Sequence, residues 1–343
     1  MTTERMRTMR LALIGTGKIV KEVLEAVKNI ETIELSAIWT RPHSLEVAEK
    51  LAGDYKIASV STDYAKLLKR EDVDFVYIGL INSVHYEYAK QALEAGKHVI
   101  MEKPFCATEA ETVELTKLAV EKNLFLFDAV SFLYMPNFFF LEDHIKKIGK
   151  IKLVQANYSQ YSSRYDDYRN GVVQPAFDPA AYGGALYDIN FYNITLCIAL
   201  FGKPDSFAYT PNLGFNGVDT SGIMHLKYPG FQAVCTGAKD SESPGFFIVQ
   251  GEDGWLKVEG TPNMLPKVIV KQQGRAERVV ELNGDKHRLT HEFVAFDRFF
   301  VAKRYDIVAE RLTITQNVIH IIENSHRRML KKEGFASDVF AKG

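Results

Sequence analysis

The chain has 343 residues, 46% of them hydrophobic and 25% charged, and 42 Lys and Arg against 43 Asp and Glu give a formal net charge of −1. This composition is typical of a globular protein and excludes disordered, collagen-like and coiled-coil chains. The charge balance excludes a generally basic nucleic-acid binder. The length indicates about two domains.

Cysteine use and hydropathy point to the cytoplasm. Cys106, Cys197 and Cys235 are too few and too far apart for a disulfide framework or a C-x-x-C metal site, so we expect them to be buried thiols. The charged start, residues 1–10, is followed only by the short apolar run Leu11–Ile14, so we expect no signal peptide. No stretch approaches 18 uninterrupted apolar residues, and we therefore expect no membrane-spanning segment.

Apolar runs of strand length alternate with helical periodicity over residues 10–127. Strands are expected at Leu11–Ile14, Ile33–Trp39, Phe75–Leu80, Val99–Met101 and Leu124–Phe127, and helices at Lys18–Asn29, Ser44–Leu51, Asp63–Leu68, Val84–Ala95 and Thr108–Val120. Because both faces of the strands are apolar, this pattern predicts a parallel sheet covered by helices on both sides. Gly96 stands where a glycine commonly ends a helix.

After residue 127, where we place the domain boundary, the pattern changes. Helices are expected at Asn137–Lys147, Leu186–Phe201, Thr290–Ala302 and Ile314–Leu330, and short β-rich runs separated by turns occupy residues 205–282. This pattern predicts a second, α+β domain with a mainly antiparallel sheet, over residues 128–343.

A glycine loop follows the first expected strand. It reads Gly15-Thr16-Gly17-Lys18-Ile19-Val20, a G-x-G-x-x-V pattern. In a dinucleotide site the first glycine makes a tight turn and the second lets the pyrophosphate approach the backbone at a helix N-terminus. Val20 is bulky where a small residue usually packs the helix on the strand. The loop predicts coenzyme binding, with an ordinary strand–turn–helix junction as the alternative.

The second expected strand ends in Trp39-Thr40-Arg41 and carries no acid there. A carboxylate at this place usually binds the ribose hydroxyls of NAD and would repel a 2′-phosphate. Thr40 offers a hydroxyl and Arg41 a guanidinium suited to phosphate, which favours NADP(H), with NAD(H) left open. The alternatives for Arg41 are stacking on the adenine or a solvated surface charge.

Three further motifs identify a family resemblance: Ile81-Asn82-Ser83-Val84-His85, the run of residues 95–104 that ends in Glu102-Lys103-Pro104, and Gly183-Gly184-Ala185-Leu186-Tyr187-Asp188-Ile189-Asn190-Phe191-Tyr192. Together with the glycine loop they resemble the glucose-fructose oxidoreductase / inositol dehydrogenase / MocA family over about residues 9–330. The resemblance implies an N-terminal Rossmann domain that binds NAD or NADP. It also implies a C-terminal domain for substrate and association, whose open sheet makes a homodimer or homotetramer.

The implied chemistry is reversible hydride transfer between a nicotinamide and the carbinol carbon of a sugar, polyol or dihydrodiol-type alcohol. A base must reach the alcohol hydroxyl, and a cation stabilises the charge that develops on oxygen. Lys103, at the carboxyl end of a parallel strand, suits both tasks, with a solvated surface lysine as the alternative. Glu102 is expected to pair with Lys103 or to contact the nicotinamide ribose.

The last motif departs from the family pattern D-x-G-x-H, because Asn190 replaces the glycine and Tyr192 the histidine. We expect Tyr192 to exchange the proton with help from Lys103, and Asp188, four residues earlier on one helix face, to orient it. The alternative is that Tyr192 is a packed aromatic. Asn82 is expected to line the nicotinamide or ribose, and His85 belongs to the same coenzyme loop but is expected to pack or cap the following helix.

Residues 157–182, rich in Tyr and Arg, border the substrate pocket in family members, and a surface loop or subunit contact is the alternative. His287 and His291 lack a third ligand, so we expect no metal. The sequence thus predicts a cytoplasmic NADP-preferring dehydrogenase or reductase of a small molecule. Two other readings stay open: a non-catalytic NADP-binding regulator of the same fold, and a biliverdin-reductase-like enzyme.

Overall fold

The computed structural model describes residues 8–332, which leaves most of the charged N-terminal start outside the described residues. The strands, in chain order, are β1 (Met9–Ile14), β2 (Ile33–Trp39), β3 (Val60–Ser61), β4 (Phe75–Ile78), β5 (His98–Glu102), β6 (Leu126–Ala129), β7 (Ile151–Ser159), β8 (Ser206–Leu213), β9 (Asp219–Tyr228), β10 (Phe231–Ala238), β11 (Ser243–Gly251), β12 (Gly254–Glu259), β13 (Lys267–Gln272) and β14 (Arg278–Val280). The α-helices are α1 (Lys18–Val27), α2 (Leu45–Tyr55), α3 (Tyr64–Leu68), α4 (His85–Glu94), α5 (Glu109–Glu121), α6 (Pro136–His144), α7 (Tyr165–Arg169), α8 (Phe191–Phe201), α9 (Thr290–Val301) and α10 (Tyr305–Lys332).

The chain divides into two compact units. Among the described residues, unit 1 holds the chain from Thr8 to Cys106 together with Ala110–Ser131 and Lys286–Thr313. Unit 2 holds Ala107–Glu109, Phe132–Asp285 and the described chain from Ile314. The division therefore comes four residues later than the expected one, and a segment that includes α9 returns to unit 1. Hydrophobic periodicity predicts a helix over residues 290–302, but it does not indicate to which of the two units that helix belongs.

Unit 1 is a parallel sheet in the order β3-β2-β1-β4-β5-β6, as expected for a Rossmann-type domain. Every residue of β4 and of β6 is buried, because helices cover both faces of the sheet. Gly96 ends α4 at φ +78°, where its N–H bonds the Leu93 carbonyl at 3.0 Å and the next N–H, of Lys97, bonds Ala92 at 2.9 Å. This confirms the expected helix-ending glycine.

Unit 2 is built on a sheet in the order β14-β13-β12-β11-β7-β10-β9-β8. Its neighbouring strands are antiparallel except β7 and β10, which run parallel with Cys235 opposite Ala156. The central strand β7 was not expected from the sequence, because three polar residues, Lys152, Gln155 and Asn157, interrupt its apolar run. The expected helix at 186–201 begins with a π-helical turn, Leu186–Asn190, before α8.

The segment Pro179–Phe201 is long and apolar enough, by length and composition, to cross a membrane. In the structure 78% of that apolar window is buried inside the protein. All of α8 from Phe191 to Ile198 is buried, so the segment is a core helix of unit 2. The three cysteines are free and buried, as expected.

Candidate functional site

The glycine loop of unit 1 has the geometry that a dinucleotide requires. Gly15 has φ +115°, and a Cβ built on it would lie 2.9 Å from the Gly79 carbonyl oxygen, so only glycine fits there. Gly17 begins α1, and nothing lies within 4 Å of a Cβ built on it. Gly17 and Lys18 are exposed, with Thr16 and Ile19 half-buried beside them. The loop therefore leaves open space at a helix N-terminus, where backbone N–H groups suit a pyrophosphate.

The structure explains how the loop tolerates Val20. Val20 is fully buried, and a Cβ built on Gly79, just after β4, would lie 2.7 Å from Val20 Cγ2 and 2.9 Å from Tyr77 Cε1. The valine methyl group thus occupies the space that a side chain at 79 would fill. The third glycine of the usual pattern is replaced by a glycine on the neighbouring strand.

Thr40 and Arg41 follow β2 as expected. Thr40 is buried, and its N–H bonds the Ser61 carbonyl oxygen at 3.0 Å. Arg41 is exposed, and its guanidinium has no hydrogen bond or ion pair with any residue among 8–332. A solvent-facing cation is therefore available at the end of β2.

His85 is the first residue of α4 and is fully buried. Its Nδ1 lies 3.0 Å from the Pro104 carbonyl oxygen and its Nε2 lies 3.1 Å from that of Leu80. Burial lowers the pKa of His85, and the carbonyl oxygens beside its two ring nitrogens oppose this shift. His85 thus joins the segment after β4 to the segment after β5, while Asn82 lies half-buried before it.

Lys103 directly follows β5 and is partly exposed, as expected for a residue at the ligand-binding edge of a parallel sheet. The preceding Glu102 is 6% exposed, accepts a hydrogen bond from Tyr77 Oη at 2.6 Å, and lies with Oε2 3.2 Å from the Lys103 N–H. Glu102 is therefore turned toward buried partners and holds the backbone of Lys103. Its predicted contact with the ribose stays a prediction.

Sequence reasoning missed a buried acid next to Glu102. Glu292 on α9 is fully buried, and neither of its carboxyl oxygens has a hydrogen-bond partner among the described residues. Burial, followed by the charge of Glu102, raises the pKa of Glu292 well above its usual value, which favours its neutral form. Glu292 lies 190 residues after Glu102 in the chain, so no local sequence pattern could indicate that the two acids are close in the structure.

In unit 2 the glycine pair before the π-helical turn makes room for a buried carboxylate. Gly184 has φ +105°, and a Cβ built on it would lie 2.0 Å from Asp219 Oδ1. Asp219 Oδ2 accepts hydrogen bonds from the Leu186 N–H and from Tyr209 Oη, both at 2.6 Å. Burial raises the pKa of Asp219 to about 6, although these bonds and the charge of Lys239 oppose the rise. Asp219 thus holds the start of the helical segment that carries Asp188.

Asp188 forms an ion pair that sequence analysis did not predict. Its Oδ2 lies 3.0 Å from Nζ of Lys239, a lysine with a 2% exposed side chain directly after β10. The same ammonium donates to the Ala176 carbonyl oxygen at 2.7 Å and lies 4.6 Å from the centre of the Phe177 ring. The signal in the sequence is a lysine directly after an apolar strand. The Asp188 side chain is 40% exposed, so it stays accessible to a ligand.

Tyr192 lies on α8 and is 8% exposed. Its ring packs against those of Tyr158 and Phe132, with centres 5.7 and 6.4 Å away. Asn190 fits beside β10 because its partner there is Gly237, where a Cβ would lie 2.7 Å from Asn190 Cβ. The Asn190 amide also donates to the Cys235 carbonyl oxygen at 3.0 Å.

The Tyr- and Arg-rich region is divided between core and surface. Tyr168 is 3% exposed, stacks on Phe177 and donates to Asn216 Oδ1 at 2.7 Å, which makes it structural. Arg164 and Arg169 are exposed. Within residues 8–332 no group of three or more His, Cys, Asp or Glu side chains is arranged to hold a metal ion.

Comparison with known proteins agrees with this geometry. The family described as "Oxidoreductase family, NAD-binding Rossmann fold" matches residues 9–129, and the "GFO/IDH/MocA C-terminal domain" matches residues 145–257. Scyllo-inositol 2-dehydrogenase (NADP(+)) IolU of Bacillus subtilis is 35% identical over 79% of this chain and 82% of its own length. Trans-1,2-dihydrobenzene-1,2-diol dehydrogenase of Xenopus tropicalis is 26% identical over 77% and 79%.

A similar fold is found in KijD10, a 3-ketoreductase from Actinomadura kijaniata, in its open conformation in complex with TDP-benzene and NADP. The TM-score is 0.78 at 22% identity, over 93% of this chain and 96% of that chain. At this identity the likeness concerns the fold alone.

Proposed function

Because the chain belongs to the Gfo/Idh/MocA family of oxidoreductases, we propose that it transfers a hydride between a nicotinamide coenzyme and the carbinol carbon of a sugar, polyol or dihydrodiol-type alcohol. It is an NAD(P)-dependent oxidoreductase of a small molecule. The observation that carries the proposal is Lys103, a cation at the carboxyl end of β5 in the sheet that carries the open glycine loop. The relatives named above are dehydrogenases, which argues against a regulator without catalysis.

We propose NADP(H) as the preferred coenzyme. The exposed Arg41 guanidinium after β2 supports this preference, as does the absence of an acid at the end of that strand. We expect Arg41→Ala to raise the KM for NADP+ about 10-fold or more and to change the KM for NAD+ little, because a charge-assisted bond contributes about 1.5–3 kcal/mol. Steady-state kinetics with both coenzymes measure this, and an equal loss for both would assign Arg41 to adenine stacking.

We propose that Lys103, Tyr192 and Asp188 carry the proton work. Bound nicotinamide supplies the hydride acceptor or donor. As an alcohol is oxidised, Tyr192 Oη takes the hydroxyl proton, and the Lys103 ammonium stabilises the negative charge on oxygen. Tyrosine has an ordinary pKa near ~10, so it needs such a cation to act near neutrality. Asp188, which Lys239 holds in place, orients Tyr192.

The test is Tyr192→Phe, which keeps the ring contacts with Phe132 and Tyr158 and removes only the hydroxyl. We expect kcat to fall about 100-fold or more, with the affinity for NADP(H) unchanged by fluorescence titration. The assay is NADPH absorbance with a panel of inositols, sugars and dihydrodiols. A kcat within a few-fold of wild type would refute the acid/base role.

We also propose that the protein is cytoplasmic and forms a homodimer or homotetramer through the sheet of unit 2. Strand β9 supports this association: Met224, Leu226 and Tyr228 are buried, whereas Ile223 on the opposite face is 48% exposed. An apolar residue on an open sheet face suits an isologous interface. Light scattering of wild type and Ile223→Glu tests the proposal, since a charge there should shift the protein toward the monomer.

A further inference from the structure

A cleft in unit 2 lies beside Tyr192. Its volume is about 630 Å³, within the usual range for small-molecule sites. Its walls come from the end of β7, the start of β11 and the loop after β12, and include Tyr158, Ser159, Gln160, Glu242, Asn263 and Met264. Tyr158 connects the cleft to Tyr192, the residue proposed to exchange the proton, because the centres of the two rings lie 5.7 Å apart.

The wall of the cleft is polar and held in place by its own hydrogen bonds. Asn157, behind it, donates through Nδ2 to Ser243 Oγ at 2.8 Å and to the Pro244 carbonyl oxygen at 2.9 Å. Its Oδ1 accepts from Ser159 Oγ at 2.8 Å. These three bonds fix the strand ends that form the two sides of the cleft, and the side chains of Gln160 and Glu242 lie exposed at its edge.

The cleft offers both donors and acceptors to a ligand. Gln160 Oε1 accepts from Tyr158 Oη at 3.2 Å, and the Gln160 amide N–H groups have no acceptor among the described residues. Asn263 Oδ1 is buried and has no hydrogen-bond partner in the described part of the chain. A buried acceptor without a partner is costly, and a ligand hydroxyl can satisfy it. Hydroxyls donate and accept at once, so they match this mixed wall.

The charge of the cleft restricts the ligand further. Glu242 is the single charged residue among those that line it, and neither Lys nor Arg lines it. Phosphate recognition in proteins relies on Arg, Lys or clustered backbone N–H groups. A phosphorylated or nucleotide-linked ligand would instead meet a carboxylate.

We propose that this cleft binds the non-reacting, hydroxyl-bearing part of an uncharged polyol or sugar and disfavours its phosphorylated analogue. This inference rests on the proposed function, and it adds the substrate class: a neutral polyhydroxy compound rather than a sugar phosphate or nucleotide sugar. Gln160, Glu242 and Asn263 are then the specificity-determining residues.

The test is calorimetric binding to the full-length protein saturated with NADP+, with myo-inositol and D-glucose as neutral probes and myo-inositol 1-phosphate and glucose 6-phosphate as the matching charged ones. We expect at least one neutral probe to bind, about 10-fold or more tightly than its phosphate. Gln160→Leu should weaken the binding of that probe about 5-fold or more. The control Gln250→Leu, which changes an exposed residue at the far end of β11, should leave the binding unchanged. Glu242→Lys should strengthen phosphate binding about 5-fold, and Glu277→Lys, exposed before β14, should not.

Each outcome decides the inference. Failure of every neutral probe to bind, tighter binding of the phosphates by wild type, or wild-type affinity in Gln160→Leu would overturn it. Binding with the expected pattern but without oxidation of any probe would support the cleft and count against the proposed dehydrogenase. The folded state of each exposed-site variant is checked by its unchanged affinity for NADP+.

Discussion

Lys239→Met removes the ammonium that links Asp188 to the loop carrying Ala176. Methionine fills nearly the same volume, so the change leaves the Asp188 carboxylate and the Ala176 carbonyl oxygen without that donor and makes no cavity. Breaking a fully buried ion pair typically costs 3–5 kcal/mol. Because the Asp188 side chain is 40% exposed, water can replace part of the interaction, and we expect a loss of about 1–3 kcal/mol.

Urea denaturation followed by circular dichroism measures this loss, and a double-mutant cycle with Asp188→Asn isolates the pair. The single change Lys239→Met should also raise the pKa of Asp219, because the charge of Lys239 lowers it in the wild type. NMR titration of the Asp219 carboxyl carbon shows this shift. A loss of stability below about 0.5 kcal/mol together with an unshifted Asp219 pKa would refute the account.

Two other sites give separate predictions. Gly79→Ala should destabilise the protein by about 1–3 kcal/mol, because the added methyl group overpacks against Val20. In urea denaturation, adding Val20→Ala to the same chain should recover most of this loss. If the stability losses of the two single variants simply add in the double variant, the packing account is wrong. Burial raises the pKa of Asp219 from 3.8 to about 6 and lowers that of His326 from 6.5 to about 4. Between pH 4 and 6, Asp219 is therefore protonated more in the folded than in the unfolded state, and His326 is protonated less. A rise in pH over this range lowers the stability through Asp219 and raises it through His326. As the pH rises from 4 to 6, the free energy of unfolding of Asp219→Asn should increase by about 3 kcal/mol relative to that of wild type, and that of His326→Leu should decrease by a similar amount. Parallel curves of stability against pH for the wild type and both variants would contradict the burial effects.

The sequence predicted the features that depend on local spacing. Apart from the two-residue strand β3, which the sequence did not predict, the strands and helices of unit 1 follow from hydrophobic periodicity, and Gly15 and Gly96 lie where turn chemistry requires a positive φ. It could not predict which charged residues lie near Asp188 and Glu102. Lys239 lies 51 residues after Asp188 and Glu292 lies 190 after Glu102, and such pairs depend on which strands become neighbours. The same reason explains why α9 was expected in the second domain although it belongs to unit 1.

Two of the departures from the family pattern, Val20 and Asn190, have a common physical explanation. Val20 replaces a small residue, and its methyl group fills the space left by Gly79 on the next strand. Asn190 replaces a glycine, and it packs against Gly237 of β10. In each place a glycine on the facing segment leaves room for the bulkier side chain, so the two backbones can approach closely. Asn190 also gains a hydrogen bond to the Cys235 carbonyl oxygen, which fixes the helix that carries Tyr192. The altered motif therefore belongs to a packed and hydrogen-bonded site rather than to a degraded one, which supports catalysis over a purely regulatory role.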